Sequence, residues 1–176
     1  IFMKLENPNG TTCQLDSDSI RAYFRYSDWA QERMFVAAAP LSDAQLDRKF
    51  EMGVGSLRET LSHIRDAERW WLTNWTKGPG ELFPEAPSTE PIEAIASSFR
   101  KTQGARNDFL RSLNDGDLTR RVDATPRPGM IRSFPMGVTM LQICHHGTHH
   151  RAQAVNMLRH VGGKIPALDL LEMLKP

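Results

Sequence analysis

The chain has 176 residues, a length that suits one domain able to fold unaided, so we expect a single domain over residues 1–176. The 22 basic and 21 acidic side chains leave a net charge of +1, which gives no electrostatic reason to expect nucleic acid or an anionic membrane as partner. Cys13 and Cys144 are too few for a disulfide framework, and no apolar run approaches the roughly 18 residues of a membrane span, so we expect a cytoplasmic protein.

The chain begins with one long and one short helical pattern. The first pattern runs from the cap-like cluster Asp16–Ser19 to Ala39, where Pro40 stops it because proline cannot continue a helix. A short helix is expected to follow Ser42, over Asp43–Arg48.

The second long helix is predicted to start at Ser56. Ser56 and Glu59 have the spacing of a capping box, in which each side chain accepts a hydrogen bond from the backbone amide of the other residue. Apolar residues then recur at helical spacing until Gly78 ends the pattern. These residues are Leu57, Leu61, Ile64, Trp71 and Trp75.

A third helix is predicted from Thr89 to Leu113, with Pro91 in its first turn. The segment Asp117–Val138 contains three prolines and two glycines, which is too broken for a long helix. We interpret this segment as a crossover connection, with a short hairpin as one option.

A fourth helix is predicted to begin at Thr139, which has capping-box spacing with Gln142, and to end at Val161. After Pro166 we expect a short closing helix over Ala167–Leu174. Four long amphipathic patterns, no convincing series of strands and one long connection predict an all-α four-helix bundle with a long crossover connection.

Four of the six histidines lie close together in residues 144–151 of the fourth predicted helix. His145 with His149, and His146 with His150, are each four residues apart, so each pair projects from one helix face roughly 6 Å apart. The apolar residues of this helix centre on a direction that lies roughly 40–80° from His146 and His150, and roughly 140–180° from the other pair. We therefore expect His146 and His150 to face the core.

Two inward imidazoles need partners, because an unpaired buried polar ring costs about 1–3 kcal/mol. A shared divalent metal would satisfy both rings, and a polar layer satisfied by neighbours or water is the alternative. Since two ligands rarely complete a metal site, a third is expected, and His63 on the flank of the second helix is the candidate. Taken alone, His63 would as readily be a boundary or surface histidine.

At these residues the chain resembles the DinB/YfiT-like family, many of whose members have no assigned activity. Tyr26–Ala30 is similar to the family's first-helix signature, and His146–Gln153 is similar to the signature of its final helix. Gly55–Ile64, followed by Ala67–Glu68 and Trp71, resembles its second-helix segment.

The resemblance implies a DinB-like bundle with a right-angled or crossover topology and a nickel- or zinc-type ion held by His63, His146 and His150. It also implies kinship with bacillithiol- and mycothiol-linked thiol transferases and isomerases, a small-molecule substrate such as a low-molecular-weight thiol, and a homodimer. The chain departs from the family pattern at Ala152, where glycine is usual.

Three neutral histidines leave the charge of an ion uncompensated and at least one coordination position open, which is typical of catalytic more than of structural sites. Such an ion can activate water or bind a thiolate. We therefore expect a metal-dependent thiol S-transferase or hydrolase. The alternative is a non-catalytic, metal-binding stress-response bundle.

Glu68 is the candidate general base, because it lies within the apolar stripe of the second helix and needs a partner there. A salt bridge to an arginine of the next helix is an equally good interpretation. Arg151 and Gln153 flank the predicted site and are candidates for positioning a substrate, although a solvated arginine on a helix is the commoner case.

Overall fold

The structure is a computed structural model that describes residues 3–6, 12–84 and 88–175. Within this part of the chain, helices dominate and four short strands form two hairpins. The helices are α1 (Ser17–Ala38), α2 (Asp43–Leu46), α3 (Leu57–Lys77), α4 (Ile92–Ser112), α5 (Met136–His160) and α6 (Leu170–Met173). The strands are β1 (Met3–Glu6), β2 (Thr12–Leu15), β3 (Arg121–Arg127) and β4 (Met130–Pro135).

The four long helices form the predicted bundle. α1 packs against α4 and α5, and α3 packs against the same two helices, so α1 and α3 occupy opposite corners. The chain therefore crosses the bundle between α1 and α3, and crosses it again between α4 and α5. The second crossing is the long connection expected from the sequence, and it contains the β3–β4 hairpin that was one option for it. The four-helix bundle with a crossover connection is confirmed.

Apolar side chains form two buried clusters, one toward each end of the bundle. One cluster combines the C-terminal halves of α1 and α5 with the N-terminal halves of α3 and α4, and includes Phe35, Leu61 and Phe99. The other combines the opposite halves of the same helices and includes Phe24, Trp75 and Met140 between them. The polar side chains described below lie along the middle of the bundle.

The start of α3 has half of the predicted capping box. The Ser56 Oγ accepts a hydrogen bond from the backbone amide of Glu59 at 3.2 Å. The Glu59 carboxylate does not complete the box, because its Oε1 accepts instead from the Nζ of Lys49 at 2.6 Å. The predicted position of the helix start is correct, since α3 begins at Leu57.

The predicted start of the fourth long helix at Thr139 is wrong, because α5 begins three residues earlier at Met136. Thr139 is buried in the first turn and does not cap the helix. Its Oγ1 donates to the carbonyl oxygen of Met136 at 2.7 Å and accepts from the indole Nε1 of Trp75 at 2.9 Å. The threonine therefore connects α5 to α3.

The β1–β2 hairpin also departs from the all-helical pattern that the sequence predicts. It packs on the first turn of α5, where a Cβ at Gly137 would lie 2.8 Å from the Sδ of Met3 and 3.2 Å from the Cδ2 of Leu15. Glycine at this position allows the close approach. Met3 and Leu15 are buried and extend the core at this end of the bundle.

The remaining boundaries differ by a few residues. α4 begins at Ile92, directly after Pro91, and the predicted start at Thr89 is two to three residues early. α2 and α6 are shorter than their predicted ranges. The predicted single domain spans residues 1–176, of which 1–2, 7–11, 85–87 and 176 lie outside the described residues. Among the described helices, none combines the length and apolar character needed to cross a bilayer.

Candidate metal centre

Three histidines from two neighbouring helices converge at the middle of the bundle; we call them the histidine centre. His146 and His150 lie one turn apart on α5, and His63 faces them from α3. One ring nitrogen from each lies within 4.8 Å of the other two. The ring centroids of His63 and His150 are 4.6 Å apart, and those of His146 and His150 are 4.4 Å apart.

The spacing of the nitrogen atoms fits a shared ion. The Nε2 atoms of His63 and His146 are 3.0 Å apart. Two nitrogens that bind tetrahedral zinc at about 2.0–2.1 Å lie about 3.3 Å from each other, which is close to this separation. A hydrogen bond between two neutral rings would also fit 3.0 Å, but it would not explain a third imidazole, from His150, at the same point.

Burial keeps the three rings neutral. Desolvation, together with the nearby His150 and His63, lowers the pKa of His146 to about 3. Desolvation likewise lowers the pKa of His150 to about 4. The pKa of His63 is also lowered by burial, although the negative charge of Asp66 opposes this. At neutral pH each ring therefore keeps a lone pair that a cation can use.

The outer nitrogens of the rings differ in their partners. The Nδ1 of His150 lies 2.8 Å from the Oε1 of Gln153, one turn along α5. The Nδ1 of His146 is buried and has no hydrogen-bond partner among the described residues. From the sequence we expected Gln153 to lie beside the site and to position a substrate. Its spacing of three residues from His150 indicates the hydrogen bond to that ring that the structure shows.

An aromatic wall borders the histidine centre on the α3 side. The ring of Phe83 lies 5.4 Å from the ring of His63 and 5.5 Å from that of Trp70, centroid to centroid. The Trp70 indole Nε1 donates to the backbone carbonyl of Glu81 at 2.8 Å, which holds this segment against α3. Sequence reasoning missed Phe83, because it lies in an irregular segment without any periodicity to assign it a direction.

Glu68, the candidate general base, is bound in an ion pair. Its Oε2 accepts from the Nη1 of Arg106 on α4 at 2.6 Å, and the same guanidinium donates through Nη2 to the Oδ1 of Asp28 at 2.5 Å. Glu68 and Arg106 are almost completely buried, and we call these three residues the ion-pair layer. Burial raises the pKa of Glu68, and the positive charge of Arg106 opposes that shift.

The partner of Glu68 is therefore an arginine of the next helix, which was the alternative interpretation of its sequence position. Within the described residues, no hydrogen bond joins Glu68 to His63, His146 or His150. The assignment of Glu68 as general base stays a prediction.

Arg151 is buried, with 2% of its surface exposed, so it is not the solvated arginine that is commoner on a helix. Its Nη1 donates to the Oγ of Ser27 at 3.1 Å and its Nη2 to the Oγ1 of Thr148 at 3.2 Å. Its guanidinium lies against Gly147 of the same helix, where a Cβ would lie 2.8 Å from the Arg151 Nη1. Arg151 therefore joins α1 to α5 and does not face a substrate at the surface.

Solved structures share the fold of this chain. A DinB-like protein from Bacillus cereus ATCC 10987 is similar with a TM-score of 0.70 and 22% sequence identity, over 86% of this chain and 97% of that chain. YfiT from Bacillus subtilis, described as a probable metal-dependent hydrolase with an unusual four-helix bundle topology, has a TM-score of 0.63 and 16% identity, over 82% of this chain and 89% of that chain. No curated protein matches the chain.

The model of the DinB family matches residues 13–176, which include all four long helices and the three histidines. The resemblance that the three sequence segments indicated is thereby confirmed. The chain belongs to the DinB family.

Proposed function

We propose that this chain is a metal-dependent enzyme that binds one Ni²⁺ or Zn²⁺ ion through His63, His146 and His150. Its reaction is hydrolysis or the transfer of a low-molecular-weight thiol. The observation that carries the proposal is the convergence of three imidazole nitrogens within 4.8 Å of one another inside the bundle. The similarity to YfiT, described as a probable metal-dependent hydrolase, supports the same class of function.

The chemistry of the donor set favours a reactive ion. Three neutral imidazoles suit zinc and nickel, and they leave the charge of the ion uncompensated. An ion held there supplies a Lewis acid that can activate water or a thiolate. A structural zinc site would instead be expected to have four protein ligands, and the described residues offer three at this point.

The residues around the centre serve the proposed reaction by positioning and by excluding water. Gln153 holds the ring of His150 through its Nδ1. Phe83 and Trp70 form an apolar surface next to His63, which suits a substrate with an apolar part beside its reacting group. The low pKa values of His146 and His150 keep both rings in the form that binds a cation.

A non-catalytic, metal-binding stress-response bundle is the competing function. The two functions differ in what loss of the ion does: a structural ion predicts a large loss of melting temperature, whereas a catalytic ion predicts a retained fold without turnover. The open donor set favours the enzyme. The expected homodimer and cytoplasmic location stay predictions, and light scattering of the purified protein tests the first.

The test compares His63→Ala with the control His145→Ala, which removes an exposed histidine of α5. Purified proteins loaded with Zn²⁺ or Ni²⁺ are assayed with ester and amide substrates, and with low-molecular-weight thiols and electrophiles. We expect turnover with His145→Ala at the wild-type rate and loss of at least 100-fold with His63→Ala. Equal rates for the two variants in every assay would contradict the proposal.

A further inference from the structure

The carboxamide of Gln153 joins two histidines that lie in different environments. Its Oε1 is 2.8 Å from the Nδ1 of His150, which is 9% exposed and belongs to the histidine centre. Its Nε2 is 3.0 Å from the Nε2 of His149, which is exposed and points away from that centre. Gln153 is therefore placed between a candidate ligand and a surface histidine.

We infer that Gln153 is a positioning residue that fixes the tautomer of His150, so that the Nε2 lone pair of that ring points into the histidine centre. A carboxamide oxygen can only accept a hydrogen bond, so the His150 Nδ1 must carry the proton. In a neutral imidazole the other nitrogen, Nε2, then has the lone pair. This inference rests on the proposed metal site and assigns one residue that prepares it.

The orientation of the carboxamide decides the tautomer of His150. If the amide were reversed, its NH₂ group would donate to the Nδ1 of His150, and the proton of that ring would move to Nε2, where it would block a cation. In the structure the NH₂ group faces the Nε2 of His149 at 3.0 Å, so this orientation requires that His149 accepts at Nε2. An exposed histidine outside the ligand set is thereby coupled to the tautomer of a buried one.

The loop before α3 holds the carboxamide from the other side. A Cβ at Gly53 would lie 2.5 Å from the Oε1 of Gln153 and 3.0 Å from its Cδ, so the backbone of this loop packs directly on the amide. Gly53 also has a φ of 58°, a conformation that favours glycine. The preceding residue, Met52, also contacts α5: its Sδ accepts a hydrogen bond from the Nδ2 of Asn156 at 3.6 Å. The carboxamide is thus packed as well as hydrogen-bonded.

The first experiment measures Zn²⁺ affinity by competition with a chromophoric chelator, for the wild type, Gln153→Leu and the control Gln142→Leu. Gln142 is an exposed glutamine of the same helix. Loss of a partner that orients a ligand histidine typically weakens metal binding by about 10–100-fold. We expect that loss for Gln153→Leu, affinity within about twofold of the wild type for Gln142→Leu, and recovery of most of the affinity in Gln153→Glu, which keeps an acceptor for the Nδ1 of His150.

The second experiment reads the tautomer without a metal. In chelator-treated wild-type protein, long-range ¹H–¹⁵N NMR spectra should give His150 the shifts of a protonated Nδ1 and an unprotonated Nε2. In Gln153→Leu the two shifts should move toward each other as both tautomers become populated. A structural role for Gln153 in packing alone would leave the tautomer unchanged.

The two experiments separate failure of this inference from failure of the proposed function. If the wild type takes up neither Zn²⁺ nor, in the same competition assay, Ni²⁺ while the NMR spectra show the Nδ1–H tautomer, the proposed function fails and the tautomer assignment stands. If the wild type binds Zn²⁺ and Gln153→Leu binds it equally well, the inference is overturned. A wild-type His150 protonated at Nε2 overturns it as well, and this result does not depend on any variant being folded.

Discussion

Two polar regions share the interior of the bundle: the histidine centre between α3 and α5, and the ion-pair layer of Asp28, Glu68 and Arg106. In the ion-pair layer, one guanidinium is bound by two carboxylates, so the chain itself supplies the partners. In the histidine centre, one nitrogen from each of three rings lies within 4.8 Å of the other two, and no acidic side chain among the described residues joins the set. In the first region the chain supplies the partners of the charge, whereas the second offers a set of ligands that a cation from outside could use.

The difference shows how to recognise a ligand site among buried polar groups. A buried arginine is costly unless its charge is compensated, and the charge of Arg106 is compensated by short hydrogen bonds to Asp28 and Glu68. Buried imidazoles avoid that cost by staying neutral, and each neutral ring keeps a lone pair that a cation can use. The convergence of three such rings at one point, and not burial or charge as such, distinguishes the candidate site.

The largest effect is expected from Arg106→Leu, which breaks the ion-pair layer. Removing one partner of a buried ion pair typically costs about 3–5 kcal/mol, because the carboxylates of Glu68 and Asp28 are left without compensation. Urea denaturation measures the loss in free energy of unfolding. The matched control is Arg100→Leu, since Arg100 pairs with Glu32 at the surface, and exposed pairs contribute at most about 1 kcal/mol. Similar losses for the two variants would mean that the layer is not a closed unit.

Zinc bound at the histidine centre should raise the free energy of unfolding by less than the loss expected for Arg106→Leu. An ion that binds only the folded state adds about 2.7 kcal/mol when its free concentration is 100-fold above the Kd. Thermal denaturation with Zn²⁺, and again after chelation, should show this difference in wild-type protein and in the control His145→Ala. The His63→Ala variant should show no zinc-dependent change in Tm, and an undiminished change would contradict the assignment of this ligand.

Glu68→Gln sharpens the comparison, because it tests whether the two regions act independently. The amide can still accept from Arg106, and because burial raises the pKa of Glu68 the loss of its charge should leave the free energy of unfolding within about 1 kcal/mol of the wild type. Zinc affinity should be unchanged, because the described contacts of Glu68 do not include the three histidines. If Glu68 is the general base, turnover falls by orders of magnitude at unchanged zinc affinity. Turnover near the wild-type rate would limit Glu68 to its ion pair.

In metal-free protein, acidification should lower the free energy of unfolding through the histidine centre and raise it through Glu68 of the ion-pair layer. The pKa values of His146 and His150 are lowered in the fold, to about 3 and about 4, so the unfolded chain binds more protons as the pH falls below 6.5. Their contribution to the free energy of unfolding is present above pH 6.5 and is lost as the pH falls toward 4 for His150 and 3 for His146. The pKa of Glu68 is raised, so its protonation favours the folded state on acidification.

Denaturation at a series of pH values tests this prediction. Each histidine that stays neutral only in the folded state contributes a slope of up to about 1.4 kcal/mol per pH unit below pH 6.5. The slope of chelator-treated wild type between pH 6.5 and 4 should fall in His146→Ala and remain in Glu68→Gln. An unchanged slope in His146→Ala would show that this ring is protonated in the folded protein.

Periodicity was sufficient to predict the four long helices and the inward direction of His146 and His150, because both follow from a constant turn of about 100° per residue. The convergence of His63 with these two rings depends on how α3 packs against α5. Its position on the flank of the apolar stripe was consistent with that packing and did not require it.

Other features depend on contacts between distant segments, which local patterns do not contain. The sequence placed Glu68 inside the bundle, but only the packing of α4 selects Arg106 as its partner. The capping-box spacing at Thr139 is genuine, yet tertiary contact with Trp75 uses its hydroxyl and α5 starts earlier. Strand β1 pairs locally with β2, but its contact with Gly137, which places it on the bundle, is long-range and was missed.

The most direct test of the shared ion is a crystal structure of the protein grown with Zn²⁺, using anomalous scattering at the zinc edge. We expect one anomalous peak between α3 and α5, about 2.0–2.1 Å from the Nε2 atoms of His63, His146 and His150. A fully occupied peak elsewhere with none at this position, or no peak from protein saturated with zinc, would contradict it.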